Sequence, residues 1–383
     1  MDVNQGLQLL GGLSAAQFMR LHWQKKPLWV TQAWPGVRPP LDRRELLALA
    51  AREEVESRLV MRSRDEWVLR HGPLSRRAIP PYRQPGWTLL VQGLDVHVQA
   101  AYEILGHFRF VPDARLDDLM MSYASDGGGV GPHLDSYDVF LLQVQGRRRW
   151  RISPPGDATL QEGLPLKILR HFSPTEERVL EPGDMLYLPP GWGHDGVAEG
   201  ECMTCSIGFR AQTRAELGAE LLVRLADEAQ TDHRARAARY QDRRQAATPE
   251  PGRIPPALQG YAVRAVQALC ARPDRIAEVL GQSLTEPKPR VWFAPGPALS
   301  LRPTFAARGV RLDPGTRMMY DDRHVYINGE SFGASGTDAE LMRDLANQRS
   351  LNGLEVGQLS AQARGCLADW VASGWVRLQE DEP

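Results

Sequence analysis

His133-Leu134-Asp135, answered further along by His194, supplies two imidazoles and one carboxylate. Two histidines and one acid make up the facial triad, which leaves half of an octahedral Fe(II) open to a co-substrate and oxygen. The pair stands where a strand should begin, after the glycine-rich loop 126–132. Positions i and i+2 of a strand point to one face, so both side chains can reach one ion. The surroundings of His194 agree. Glu181-Pro182-Gly183-Asp184 predicts a turn, 185–188 an apolar strand, and Pro189-Pro190-Gly191-Trp192-Gly193 a rigid loop delivering the imidazole.

Residues 138–144 read as a buried strand, Gln145-Gly146 as a turn and 147–152 as the returning strand. By the period of two, Arg148, Trp150 and Ile152 share one face, and Arg147, Arg149 and Arg151 share the other. Three arginines therefore face solvent and one faces inward beside a tryptophan. Buried charge needs an anionic partner. No Asp or Glu lies on that face of the strand pair, so Arg148 awaits either a ligand carboxylate or a structural carboxylate from elsewhere in the fold.

The runs Gly-Pro-His133-Leu-Asp135-x-Tyr-Asp-Val-Phe, Gly-Arg-Arg148-Arg-Trp and Glu-Pro-Gly-Asp-x-Leu-Tyr-x-Pro-Pro-Gly-x-x-His194 resemble the JmjC oxygenases. The similarity is greatest to the bacterial ribosomal oxygenases. His22-Trp23-Gln24-Lys25-Lys26-Pro27-Leu28, Ser57-Arg58-Leu59-Val60, Leu116-Asp117-Asp118-Leu119-Met120 and Gly208-Phe209-Arg210-Ala211 are further pieces of it. The resemblance runs strongly over 15–215 and loosely beyond. It implies Fe(II), 2-oxoglutarate and O2 as cofactor and co-substrates, and a ribosomal protein as partner. The implied reaction is hydroxylation of an arginine side chain of large-subunit ribosomal protein sixteen.

Under that resemblance His133, Asp135 and His194 hold the metal. Arg148 takes the distal carboxylate of 2-oxoglutarate in a two-pronged guanidinium grip. Ser122 is a hydroxyl partner for the co-substrate, and Thr204 another if it faces inward. Strand parity sets Asp118, Met120 and Ser122 on one face of 116–123, with Asp117 on the other, and aligns Tyr137 with His133 and Asp135. If both faces line one mouth, Asp118 suits a substrate guanidinium, its stem held between Met120 and Tyr137. Ser206 completes that set.

At 383 residues the chain has room for two or three domains. With 42% hydrophobic and 24% charged residues it is of globular composition, and its formal charge of −1 gives no basis for binding nucleic acid or anionic membrane. Residues 1–5 lack a signal peptide's basic start and apolar core, and no apolar run nears the roughly 18 residues of a membrane span. A cytoplasmic protein is expected. Cys202-Met203-Thr204-Cys205 has CxxC spacing, but i and i+3 of a strand face opposite ways, so these cysteines read as space-filling.

Helices are expected at 14–22 and 42–52, with Ser14 and Asp42 as N-caps, and at 96–107. Short strands dominate 116–209. The fold class that follows is a mostly β catalytic domain, a cupin-like double-stranded β-helix or jelly roll. It comprises 1–212 with its N-terminal helices. A helical segment, 213–288, opens on the capping box Thr213-x-x-Glu216 and carries Leu- and Ala-rich stripes. The family resemblance implies a homodimer built there. Residues 289–383 read as an α+β winged-helix-like domain, with a hairpin of 318–320 and 325–327 around Asp321-Asp322. That domain holds ten Arg and no Lys against twelve acidic residues, so direct nucleic-acid binding is not expected. The Arg- and Ala-rich stretch 234–244 reads as a solvated helical face.

Three other readings stay open. A histidyl hydroxylase of a ribosomal protein would use the same centre, although Asp118 favours arginine. A non-catalytic cupin-like metal-binding protein would need the triad but not an inward Arg148. A ribosome-associated adaptor would need neither.

Overall fold

Ten antiparallel strands make up the sheet of the first unit, some buried on both faces (Trp87–Val91 and Met185–Leu188) and others alternating, as over 147–153. In chain order they are β1 (Leu28–Val30), β2 (Ser57–Ser63), β3 (Glu66–His71), β4 (Trp87–Val91), β5 (Leu116–Ala124), β6 (His133–Leu134), β7 (Val139–Ser153), β8 (Glu176–Leu180), β9 (Met185–Leu188) and β10 (Gly193–Phe209). They neighbour one another in the order β1-β9-β7-β10-β5-β4-β2-β3, with β6 beside β10 and β8 beside β7. The computed structural model describes residues 2–63, 66–231, 239–297 and 308–379. These divide into two units, Met1–Ala211 and Gln212–Pro383.

Parity on β5 shows how the jelly roll separates core from site. Leu119, Met121 and Tyr123 are buried in the main core with Phe18, Trp87, Phe140 and Tyr187. Asp118, Met120 and Ser122, on the opposite face, line an internal cavity. A smaller apolar cluster of Val139, Leu141, Trp150, Ile152, Leu180, Leu186 and Leu188 packs separately from that core. Its members Val139, Leu141 and Trp150 line the same cavity.

Gln145-Gly146 does not reverse the chain, contrary to the turn expected there. β7 runs on through it, and both halves pair with β10: Val139 opposite Gly208 at one end, Ser153 opposite Gly193 at the other. The register slips between Glu199 and Met203, where β10 bulges. Gly146 has φ 63°, and a Cβ there would stand 2.1 Å from the Glu201 carbonyl oxygen. Left-handed glycine serves a turn and a bulge alike; the distant partner strand decides between them. One half of β7 also pairs with β9 and the other with β8, so the kink carries the chain around the roll.

Ser14 and Asp42 each cap their helices, Ala15–Leu21 and Arg43–Ala50, with full capping boxes. The helix expected at 96–107 is two short ones, Leu94–His97 and Gln99–Gly106, broken at extended Val98.

In the second unit Thr213 and Glu216 form their reciprocal box ahead of the helix Arg214–Thr231. The helix Pro256–Cys270 buries none of its residues. Pro273–Thr285 packs closely on the strands that follow, Gly281 lying directly against the Tyr326 ring. Met318–Tyr320 and His324–Ile327 form the hairpin around Asp321-Asp322. With Glu330–Gly333, the helices Gly336–Gln348 and Ala361–Ala372, and the strand Val376–Leu378, it makes a winged-helix domain. Of the stretch 234–244, residues 234–238 lie outside the described residues. No described helix is long and apolar enough to cross a membrane.

Candidate active site

β6 is two residues long, and its one function in the ladder is to set His133 directly opposite His194 on β10. The two rings lie 4.2 Å apart between centroids. Each ring is held by a carbonyl two residues earlier in its own chain: His133 Nδ1 lies 2.9 Å from Gly131 O, and His194 Nδ1 3.1 Å from Trp192 O. A carbonyl accepts only, so in each neutral ring Nδ1 carries the proton and Nε2 keeps its lone pair. Burial first, then the neighbouring His133, push the His194 imidazole down to about 4, which keeps it neutral near pH 7. Asp135 follows β6, its Oδ2 3.6 Å from His194 Nε2. One ligand atom from each of the three residues falls within 4.8 Å of the others. Two neutral imidazole nitrogens and one carboxylate oxygen, gathered on one side, suit a first-row divalent ion with open positions.

Arg148 is 4% exposed and points into the same cavity. Its Nη1 donates to Ser122 Oγ at 3.0 Å and to Thr204 Oγ1 at 3.2 Å, and its guanidinium carbon lies 5.3 Å from the Trp150 ring centroid. Its Nε is buried without a hydrogen-bond partner, and among the described residues no carboxylate lies within ion-pair distance. Among the described residues, no structural carboxylate takes that place. A buried guanidinium with hydroxyls on one side and no counter-charge fits a small ligand's carboxylate. On the outer face Arg147, Arg149 and Arg151 are paired with Glu199, Glu177 and Asp195.

The cavity encloses about 490 Å³, and its wall includes His133, Asp135, His194, Arg148, Ser122, Asp118, Met120, Tyr137 and Ser206. Thr204 is not part of that wall. It is 1% exposed, its hydroxyl bridging from Arg148 to Gln143 Oε1 at 2.9 Å, so it orients Arg148 rather than meeting a ligand. Tyr137 is 38% exposed; burial of its phenol first, then the adjacent Asp135 carboxylate, push it well above its usual range. Asp118 accepts from the Gly93 N–H at 2.9 Å. Asp117 was expected on the far face of β5. It also lines the cavity, at the rim and paired with Arg210. Two β5 residues, Asp117 and Asp118, stand opposite the single Gly208 of β10, and this bulge in β5 breaks strict alternation.

Sequence reasoning missed Gln143, a fully buried polar residue whose one signal was its position inside an apolar run. It also missed Pro165, Leu166 and Lys167, which reach the cavity from the β7–β8 connection with no local signature. Cys202 and Cys205 are buried, unpaired and in separate apolar clusters, in keeping with their opposite strand faces.

A ten-strand jelly roll with two histidines and an aspartate gathered on its cavity wall defines a metal-dependent oxygenase scaffold. The sequence matches the JmjC domain family over residues 103–217 and the ROXA-like winged helix family over 265–377. The ribosomal protein uL16 3-hydroxylase of Escherichia coli (strain K12) is 39% identical over 208 residues, 54% of this chain and 55% of that protein. In sequence, the chain spans about half the length of the curated relatives it matches. The crystal structure of the E. coli ribosomal oxygenase YcfD is 30% identical, with a TM-score of 0.79 covering 96% of this chain and 98% of that one. A second YcfD structure, in complex with cobalt and 2-oxoglutarate, has a TM-score of 0.79 at 29% identity, covering 95% and 98%. The chain belongs to the JmjC-type ribosomal oxygenases.

Proposed function

We propose that this protein is an Fe(II)- and 2-oxoglutarate-dependent hydroxylase of an arginine side chain in ribosomal protein uL16. The observation that carries the reading is Arg148, a buried guanidinium with no carboxylate partner among the described residues, in one cavity with a His-Asp-His cluster. His133, Asp135 and His194 hold the iron. Arg148, steadied by Ser122 and Thr204, takes the distal carboxylate of 2-oxoglutarate. When bound, iron and co-substrate supply the oxidising chemistry: 2-oxoglutarate leaves as succinate and CO2, and one atom of O2 enters a substrate C–H bond.

The chain's own residues decide which bond that is. Asp118 receives the substrate guanidinium, while Met120 and Tyr137 flank its alkyl stem and Ser206 adds a hydroxyl. Tyr137, fixed beside Asp135, ties the position of the stem to that of the metal. Trp150 forms part of the wall: a Cβ at Gly196 would meet its ring at 2.7 Å, so the ring packs directly against the backbone of β10.

The organisation proposed is an oxygenase domain over 1–212, a helical segment over 213–288 and a winged-helix domain over 289–383. The helical segment forms a homodimer. Val223, Val263 and Val266 are 61%, 56% and 58% exposed on two adjacent helices, an apolar surface that a second copy would cover. Action on a ribosomal protein places the enzyme in the cytoplasm. The deciding experiment measures succinate release from 2-oxoglutarate with and without uL16, and a +16 Da product by mass spectrometry. Release without a uL16 product rejects the substrate, and no release rejects the class.

A further inference from the structure

The cavity holds a second guanidinium that the metal and co-substrate chemistry leaves unused. Arg58, on β2, lines the wall beside Leu90 and Gln92. Its Nε is buried without a hydrogen-bond partner, and no described carboxylate lies within ion-pair distance of it. His71, opposite it on β3, makes no bond to it. Arg58, though only half-buried, thus shares with Arg148 an unbonded buried Nε, a place on the cavity wall and no described carboxylate partner.

Register separates the two. Arg58 pairs across to Leu90, Leu90 to Ser122, and Ser122 to Thr204, in one row over four strands. Ser122, which accepts from Arg148, is thus two strands from Arg58, about 10 Å at the usual strand spacing. With Arg148 given to the distal carboxylate of a small dicarboxylate, Arg58 is left to a different ligand group. The charge of Arg58 is felt instead at Tyr137, on the substrate side of the cavity. A cationic target residue entering between Tyr137 and Asp118 would meet a like charge there unless its own chain brings an acceptor.

We propose that Arg58 is a polypeptide subsite. Its guanidinium takes an oxygen acceptor next to the target residue, either a side-chain carboxylate or a main-chain carbonyl, and so orients the substrate across the mouth. This rests on the hydroxylase reading above. It makes Arg58 a specificity-determining residue, with no part in metal or 2-oxoglutarate binding.

The test compares Arg58→Met and Arg58→Lys with wild type, using intact uL16 as probe. Loss of one charge-assisted bond raises KM for uL16 about ten- to a hundredfold in Arg58→Met, and less in Arg58→Lys. KM for 2-oxoglutarate stays where it was. Replacing acidic residues near the uL16 target by alanine identifies the acceptor. Losses that do not add to that of Arg58→Met point to a carboxylate, and losses that add point to a carbonyl. If Arg58→Met fails to fold, Arg58→Lys carries the comparison, since it keeps charge and stem but not the planar fork. An unmoved uL16 KM overturns the proposal, as does a raised requirement for 2-oxoglutarate. Wild-type protein that releases succinate but ignores uL16 overturns the substrate reading, and the acceptor assigned to Arg58 goes with it.

Discussion

His133 and His194 face each other across a two-residue ladder, and each turns its Nδ1 onto the carbonyl of the residue two before it, Gly131 and Trp192. The same local device, used twice, presents two Nε2 lone pairs to one point without help from any other side chain. The metal site is therefore built from backbone geometry. Removing a ligand should leave the scaffold standing.

His133→Ala and Asp135→Ala should each abolish Fe(II)-dependent turnover of 2-oxoglutarate, by more than the roughly 10- to 100-fold typical of an outer-sphere partner. Thermal unfolding should change little, since neither residue belongs to an apolar core cluster. Turnover at the wild-type rate in either variant rejects the centre.

Arg148→Lys should raise the 2-oxoglutarate concentration needed for half-maximal turnover by about ten- to a hundredfold. An ammonium cannot make two parallel bonds to a carboxylate, and one charge-assisted bond is worth about 1.5–3 kcal/mol. Saturation curves for succinate release measure it. An unchanged curve makes Arg148 a structural residue held by Ser122 and Thr204.

What was legible in the sequence was what short-range periodicity determines. Spacing alone placed His133 and Asp135 within reach of one ion. Alternation set Arg148 inside and its three neighbours outside. The N-caps at Ser14 and Asp42 and the capping box at Thr213 follow from side-chain-to-backbone bonds three residues apart. What failed depended on a partner strand. Gly146 read as a turn because nothing nearby reveals the bulge at Glu201. Asp117 read as facing away because the bulge that frees it, Asp117 and Asp118 of β5 opposite Gly208 of β10, shows only in the pairing of the two strands. Thr204 read as a ligand group because strand parity gives a direction but not a depth, and Arg148 lies between it and the cavity. Arg58 carried no signal beyond its part in the family resemblance, since a lone strand arginine with no partner in sequence looks like any surface residue.

A Val263→Glu, Val266→Glu double variant should convert the protein from dimer to monomer at micromolar concentration. Both valines lie exposed on a helix that buries nothing within its own chain. Placing charge in an apolar contact costs several kcal/mol per desolvated ion. Light scattering reads the mass directly. A wild-type monomer removes the dimer, and a variant that stays dimeric moves the interface elsewhere.

Asp118 decides between arginine and histidine as target. Asp118→Asn should lower kcat/KM for uL16 while leaving iron and 2-oxoglutarate binding as they are, because its contacts lie on the substrate side of the cavity. The asparagine oxygen can still accept the Gly93 N–H, so the wall keeps its shape. Truncating a buried charge pair costs about 2–5 kcal/mol, and the partial exposure of Asp118 argues for the low end, about thirtyfold in rate. Asp117 is no control, since it lines the same rim and pairs with Arg210. Glu177 serves better: it is an exposed carboxylate on the outer face, paired with Arg149. Glu177→Gln should behave as wild type. If Asp118→Asn and Glu177→Gln are indistinguishable, Asp118 does not meet the target side chain, and the preference for arginine over a neutral imidazole loses its support.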